Sequence, residues 1–196
     1  MKKYTHRTVQ FYDKNISAYI EDGAVVNLKN KLKLFTNLLC GKNILDVACG
    51  PGHDTDFFKK SGFDCIGIDL SDEMLKYAQQ HYEGTFKKMD FFNLEFKKRS
   101  FDGLWCSSVF GHIEKKNLSA AIEEFNRVLR DKGTIGIISV KRQHITRKSG
   151  DIRTYTLYEE NELASHLKQK GFRIIVSEEF DFGNRVRLFI VAQKVK

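Results

Sequence analysis

Residues 44–52 read ILDVACGPG, an apolar run that carries one acid, Asp46, and then breaks into Gly50, Pro51 and Gly52. A helical pattern starts directly behind it, over residues 54–61, and stops at Gly62, the residue type expected just past a helix end. A buried strand that turns through glycines into a helix is the opening unit of a doubly wound sheet, and ligands bind at that turn. Glycine there lets backbone approach a ligand with no Cβ in the way, and the new helix offers unpaired N–H groups. Pro51 is the one proline in 196 residues, where about 5% is usual. It removes an N–H from the turn and restricts Gly50 before it, which stiffens the loop.

Working outward, strands and helices alternate. Residues 63–69 (FDCIGID) read as the second strand, after which Ser71 caps a helix with Asp72 and Glu73 in its first turn. Met74, Tyr77, Ala78 and His81 fall on one face of that helix. Strands follow near residues 85–89 and 101–107. The helix over 117–129 has the clearest period, through Leu118, Ala121, Ile122, Phe125, Val128 and Leu129. Gly133 turns the chain into a β-branched strand over 134–140, and a helix near 159–170 ends at Gly171. Strands near 173–178 and 186–193 have no helix between them, so they form an antiparallel hairpin at one edge. The fold class is α/β, a doubly wound and mostly parallel sheet with helices on both faces.

Composition sets the frame. Apolar residues make up 41% and charged residues 30%, enough for a true core, and this excludes disorder, collagen and coiled coil. Lys and Arg number 33 against 25 Asp and Glu, a balance of +8 that favours an anionic partner. No apolar run approaches the roughly 18 residues of a membrane span, and no secretory signal opens the chain. We expect a soluble, cytoplasmic protein, one domain over 1–196. Cys40, Cys49, Cys65 and Cys106 are too scattered for a zinc or redox pair, so no metal is expected and the thiols read as reduced. The last three sit in apolar runs that point to burial.

Asp69 stands at the end of the second strand, nineteen residues after Gly50. A carboxylate there accepts from both hydroxyls of a ribose. Two adenosine cofactors suit this arrangement. A dinucleotide wants a third glycine where Thr55 stands, and its pyrophosphate would meet Asp46. S-adenosyl-L-methionine carries no phosphate, and its ammonium suits an acid at the strand end. Asp46 tips the balance towards the methyl donor.

These residues resemble the class I S-adenosylmethionine-dependent methyltransferases, over about residues 43–195. ILDVACGPG is similar to their first motif, D-x-G-x-G-x-G, with Ala48 where the first glycine stands. IGIDLS (66–71) resembles the second, MDFF (89–92) the third, FDGLWCSSVFGHI (101–113) the fourth-strand motif and LRDKGTIGIISVK (129–141) the fifth strand. The resemblance implies seven strands, six parallel and one antiparallel, with S-adenosyl-L-homocysteine as product. It also implies cofactor-binding roles for Asp46, Ala48, Gly50, Gly52, Asp69, Leu70, Asp90, Phe91 and Ser107, with Asp90 on the adenine amino group. For Asp90 a polar turn after a strand is the competing reading. Many relatives fold an N-terminal helical segment over the cofactor. Here residues 1–40 hold Tyr12, Ile16, Tyr19 and Ile20 on one helical face, and Tyr12 and Tyr19 are either cofactor contacts or core.

His112 follows the fourth strand, where many relatives place a histidine facing the substrate. It is the candidate base, since imidazole titrates near neutrality; the alternative is a histidine packed at a turn. The basic stretch 141–153 lies on the ligand side of the sheet. Lys141, Arg142, Tyr155 and Tyr158 are candidate acceptor contacts in a loop over 141–158, with a solvated loop and a tyrosine packed on the next helix as alternatives. A small-molecule acceptor with an anionic group is the leading expectation. A tRNA or other nucleic-acid acceptor is second, because the positive charge is scattered and no base-flipping signature follows the fourth strand. A cofactor-binding module without turnover, or a nicotinamide oxidoreductase, is third. Neither the acceptor atom nor the oligomeric state is encoded in any motif.

Overall fold

Ile44, Leu45 and Val47 have no exposed surface, and neither do Leu104, Trp105 and Cys106. Strands apolar on both faces must lie between layers of helix. Accordingly β1 (Asn43–Val47) and β4 (Phe101–Ser107) pair in parallel at the centre of a seven-stranded sheet. The computed structural model describes residues 3–21, 28–141, 153, 155–182 and 185–196.

The other strands are β2 (Asp64–Asp69), β3 (Thr85–Lys88), β5 (Leu129–Val140), β6 (Phe172–Phe182) and β7 (Arg185–Lys194). Their order across the sheet is β3-β2-β1-β4-β5-β7-β6. The first five run parallel, and β7 lies antiparallel between β5 and β6. The expected C-terminal hairpin is there, and its last strand is interior. The strand expected from Gly133 begins earlier: Leu129 pairs with Phe101, and the register then jumps to Gly103 opposite Thr134. Lys132 takes a left-handed turn with φ 62° inside that irregularity.

Seven helices flank the sheet among the described residues: α1 (Lys3–Lys14), α2 (Ile16–Glu21), α3 (Lys29–Asn37), α4 (His53–Lys60), α5 (Asp72–His81), α6 (Lys115–Val128) and α7 (Glu160–Gln169). Leu118, Ala121, Ile122, Phe125 and Val128 of α6, with Leu163 and Leu167 of α7, pack on one face of the sheet. Phe35 of α3 and Phe58 of α4 pack on the other face, against Trp105 and Phe189. The face read on α5 is shifted. Met74, Leu75 and Ala78 are buried, whereas His81 is exposed and stacks on Tyr77 with ring centroids 3.8 Å apart. The reason is that α5 covers the edge of the sheet, where a narrow stripe suffices.

The N-terminal segment is also not one helix. Asn15 interrupts it: its carbonyl accepts the Tyr19 N–H at 2.9 Å and starts α2, while its side chain donates to Phe11 O at 2.7 Å. Cys49, Cys65 and Cys106 are buried free thiols and Cys40 is an exposed one.

Candidate active site

The turn from β1 to α4 is built on left-handed backbone. Ala48 has φ 55°, Gly50 53° and Gly52 91°, so the alanine that replaces a motif glycine still adopts a glycine-like conformation. Cys49 N–H donates to Ile68 O at 2.9 Å and ties the turn to β2. A Cβ on Gly52 would stand 2.8 Å from Ala78 Cβ and 3.0 Å from the Phe86 ring. Gly52 therefore serves the close packing of the turn on α5 and β3 rather than the wall of the site.

Asp69 closes β2. Its Oδ2 accepts the Gly50 N–H and its Oδ1 the Ser71 N–H, both at 2.9 Å. Burial pushes its carboxyl up, and the Ser71, Gly50 and Leu70 amides pull it back. Asp46 is buried and accepts from Thr55 Oγ1 at 2.7 Å. Burial, with the negative charge of Asp54 next, holds its carboxyl well above the usual range. Asp54, in the first turn of α4, accepts the Trp105 indole N–H at 2.7 Å. Its carboxyl is pushed up to about 6 by burial, against the opposing pull of that hydrogen bond.

Above these strand ends lies a cavity of about 780 Å3 with its open mouth included. Ala48, Gly50, Asp69 and Leu70 form its floor, and Met74, Met89 and Phe91 one wall. Ser107, Ser108, Val109 and His112, from the end of β4 and the 3-10 turn Val109–His112, form the other. Thr8, Val9 and Tyr12 of α1 and Tyr19 of α2 roof it. A smaller cavity of about 510 Å3 shares Tyr19, Ala48, Gly50, Ser107 and Ser108 and reaches Asp46 and Asp54.

Tyr12 Oη lies 3.1 Å from His112 Nε2. Tyr155 leans on the His112 ring at 5.2 Å between centroids, and Tyr19 stands edge-on to Tyr12 at 5.5 Å. Arg153 donates from Nη1 to Tyr12 Oη at 3.3 Å and lies over the Phe11, Tyr12 and Tyr155 rings. The segment bearing Tyr155 is tied to the turn, Thr156 N–H donating to Gly111 O at 2.7 Å. On β7, the buried Arg187 donates from Nη1 to Ser108 Oγ at 3.1 Å, and burial lowers its hold on its proton.

Of the residues picked from the sequence, Tyr12, Tyr19, Ala48, Gly50, Asp69, Leu70, Phe91, Ser107 and His112 thus share one cavity. Asp46 lies in the adjoining one. Asp90 stays off both walls: its Oδ1 accepts the Phe92 N–H at 2.9 Å, the polar-turn arrangement. Tyr158 is fully buried and donates to Ile113 O at 2.7 Å, so it packs in the core. Lys141 pairs with Glu179 at 2.6 Å. Arg142 lies outside the described residues, as does most of the loop over 141–158. Sequence reading missed Thr8, Arg187 and the bond between Trp105 and Asp54, because a lone polar residue on an amphipathic helix or a strand carries no local signal.

Residues 44–133 match the model of a methyltransferase domain. The order, register and cavity of the sheet agree with it. Over that stretch, just under half of its length, the chain is similar to methyltransferase domains. The chain is 27% identical over 174 residues to phosphoethanolamine N-methyltransferase 3 of Arabidopsis thaliana, covering 82% of the chain and 34% of that relative. It is 28% identical over 131 residues to an S-adenosyl-L-methionine-dependent Diels-Alderase of Talaromyces variabilis, covering 62% of the chain and 44% of that relative. The chain therefore spans less than half the length of these curated relatives. Its fold matches the Burkholderia thailandensis 1,6-didemethyltoxoflavin-N1-methyltransferase solved with S-adenosylhomocysteine, with a TM-score of 0.73 and 19% identity, over 100% of this chain and 92% of that one.

The residues of the cavity fit that cofactor. Thr8 Oγ1 is buried on the cavity wall and has no hydrogen-bond partner among the described residues, so a ligand with polar edges satisfies it. Asp46, Asp54 and Asp69 are acids whose ionised form burial disfavours, and a cationic ligand offsets that cost. Among the described residues no group of three or more His, Cys, Asp or Glu side chains is set to hold a metal ion, and no helix is long and apolar enough to cross a membrane.

Proposed function

We propose that the chain is an enzyme that moves a methyl group from S-adenosyl-L-methionine to a small acceptor bearing an anionic group. The observation that carries this is the roofed cavity whose lining brings Asp69 and Gly50 together with the Tyr12–His112 pair. A roof of two helices leaves room for a small molecule and excludes water from the reacting centre; a nucleic-acid strand needs an open groove.

When bound, the cofactor supplies an electrophilic methyl group on a sulfonium. Asp69 takes the ribose hydroxyls, with the Gly50 and Ser71 amides holding its two oxygens in line. Thr8 and Leu70 meet the nucleoside, and Phe91 flanks the base. Asp46 and Asp54 face the ammonium. His112 is the base: the proton an amine or hydroxyl acceptor gives up passes to Tyr12 Oη as the Tyr12 hydroxyl hands its own proton to His112 Nε2. Arg153 and Arg187, on either side of the 3-10 turn, supply the positive charge that an acceptor's phosphate or carboxylate pairs with. In this reading residues 1–40 are a lid on a core over 43–195, and residues 141–158 are the acceptor loop.

The test is S-adenosylhomocysteine release with phosphoethanolamine, a neutral amine and bulk tRNA as acceptors. Turnover with the anionic amine supports the reading, and turnover with tRNA alone replaces it with the nucleic-acid reading. Cofactor binding with no product from any acceptor in the panel assigns a binding module, or a cyclisation role like that named for the Diels-Alderase relative.

A further inference from the structure

Neighbouring residues on a helix point about 100° apart, and α1 uses that divergence at positions 12 and 13. Tyr12 enters the cavity and meets His112. Asp13 turns the other way, onto the start of α5. Its Oδ1 accepts the Ser71 hydroxyl at 2.6 Å and the Glu73 N–H at 3.3 Å. We propose that Asp13 is a positioning residue: it docks α1 on the first turn of α5 and thereby sets Tyr12 against His112. This rests on the proposed function only for its consequence in catalysis.

The hydroxyl of Ser71 is fully employed. It caps α5 by accepting the Met74 N–H at 3.2 Å, and it gives its own proton to Asp13. The Ser71 backbone N–H meanwhile donates to Asp69. One residue therefore links the roof of the cavity to the carboxylate on its floor. The Glu73 N–H is one of the amides a helix start leaves without an internal partner, and a carboxylate from a second helix suits both that donor and the positive end of the helix.

Apolar packing alone holds α1 weakly. Of its described side chains only Thr8 is buried, with Val9, Phe11, Tyr12 and Asp13 half-buried and the rest exposed. With so little buried surface, the hydrogen bonds of Asp13 decide where the helix rests. A rotation of α1 that breaks them carries Tyr12 away from His112, because Asp13 and Tyr12 are consecutive residues of one rigid helical turn. Asp69 and Gly50 do not move with it, since Gly50, Ile68 and Ser71 hold that floor independently.

The experiment follows the His112 imidazole by NMR through a pH titration of the full-length protein without ligand. In Asp13→Ala the His112 curve departs from wild type and coincides with that of Tyr12→Phe, and the double variant adds nothing further. In Asp13→Asn, whose amide oxygen still accepts from Ser71, the curve stays nearer wild type. Ser71→Gly keeps a serviceable cap but loses the donor, so it gives the Asp13→Ala result even where Asp13→Ala itself folds poorly. A His112 curve unchanged from wild type in both Asp13→Ala and Ser71→Gly overturns the proposal. Failure of the wild-type protein to bind S-adenosylhomocysteine would instead sink the proposed function, since the titration needs no ligand.

Discussion

Tyr12 and His112 stand a hundred residues apart in the chain and meet at 3.1 Å, hydroxyl to imidazole. The contact joins a helix that precedes the sheet to the turn that follows its central strand. It adds a further polar group, besides Asp69, to the lining of the cavity.

His112→Ala is expected to lower turnover by about a hundredfold or more, the usual contribution of a positioned base, with cofactor affinity unchanged. Tyr12→Phe keeps the ring and loses the hydroxyl that passes the proton on, so its turnover falls too. Steady-state rates beside calorimetry with S-adenosylhomocysteine separate the two effects. Normal turnover in His112→Ala would show that the proton leaves by another route.

Asp69→Ala should weaken S-adenosylmethionine binding at least about tenfold, or ~1.4 kcal/mol, for the loss of charge-assisted hydrogen bonds. The same variant frees the Gly50 and Ser71 amides. Calorimetry checks this, and an affinity equal to wild type would remove Asp69 from the site.

Asp54 makes stability and binding depend on pH in opposite senses. Its carboxyl rises from 3.8 to about 6 in the fold, so the folded state keeps a proton that the unfolded chain releases. The stability this lends is complete below about pH 4 and is lost as pH rises towards about 6. A cationic ligand prefers the ionised carboxylate, so cofactor affinity should climb over the same interval. Asp54→Asn flattens both slopes while its side-chain oxygen still accepts from Trp105. Urea unfolding and calorimetry at a series of pH values test this; equal slopes in the variant would contradict it.

Gly52→Ala and Gly50→Ala should differ sharply. Both positions have left-handed φ, but a Cβ at Gly52 collides with Ala78 while one at Gly50 meets nothing within 4 Å. Backbone strain alone costs about 1–2 kcal/mol, and overpacking adds about 1–3. Denaturant titrations should therefore place Gly52→Ala well below Gly50→Ala in stability.

The central strands and α6 were legible because burial on both faces, or a full stripe at helical spacing, writes itself into consecutive residues. The limits of β1 and β4 agree with the runs NILDV and FDGLWCS. The glycine turn and Asp69 were legible for a related reason: special backbone and a strand-end acid fall at a fixed spacing. The face of α5 was misplaced onto His81 because periodicity does not tell how wide a stripe the neighbouring strand demands. Tyr158 and Asp90 share a lesson, since a tyrosine or an acid near a site is as readily consumed by its own surroundings, here Ile113 O and the Phe92 amide. Trp105 with Asp54, and Asp13 with Ser71, pair over separations of 51 and 58 residues. Such pairs exist only once the chain has folded.

The place of β7 between β5 and β6 bears on how the protein is made. Residues 172–182 leave the ribosome before the strand they pair with, and β5 has by then already emerged with Ile135, Ile137 and Ile138 on a strand that lacks its outer neighbour. Synthesis at about 5–20 residues per second therefore holds this half of the sheet open for roughly three to ten seconds. Until residues 185–194 arrive and slot in, the nascent chain offers a sticky β edge, the kind of surface that chaperones shield.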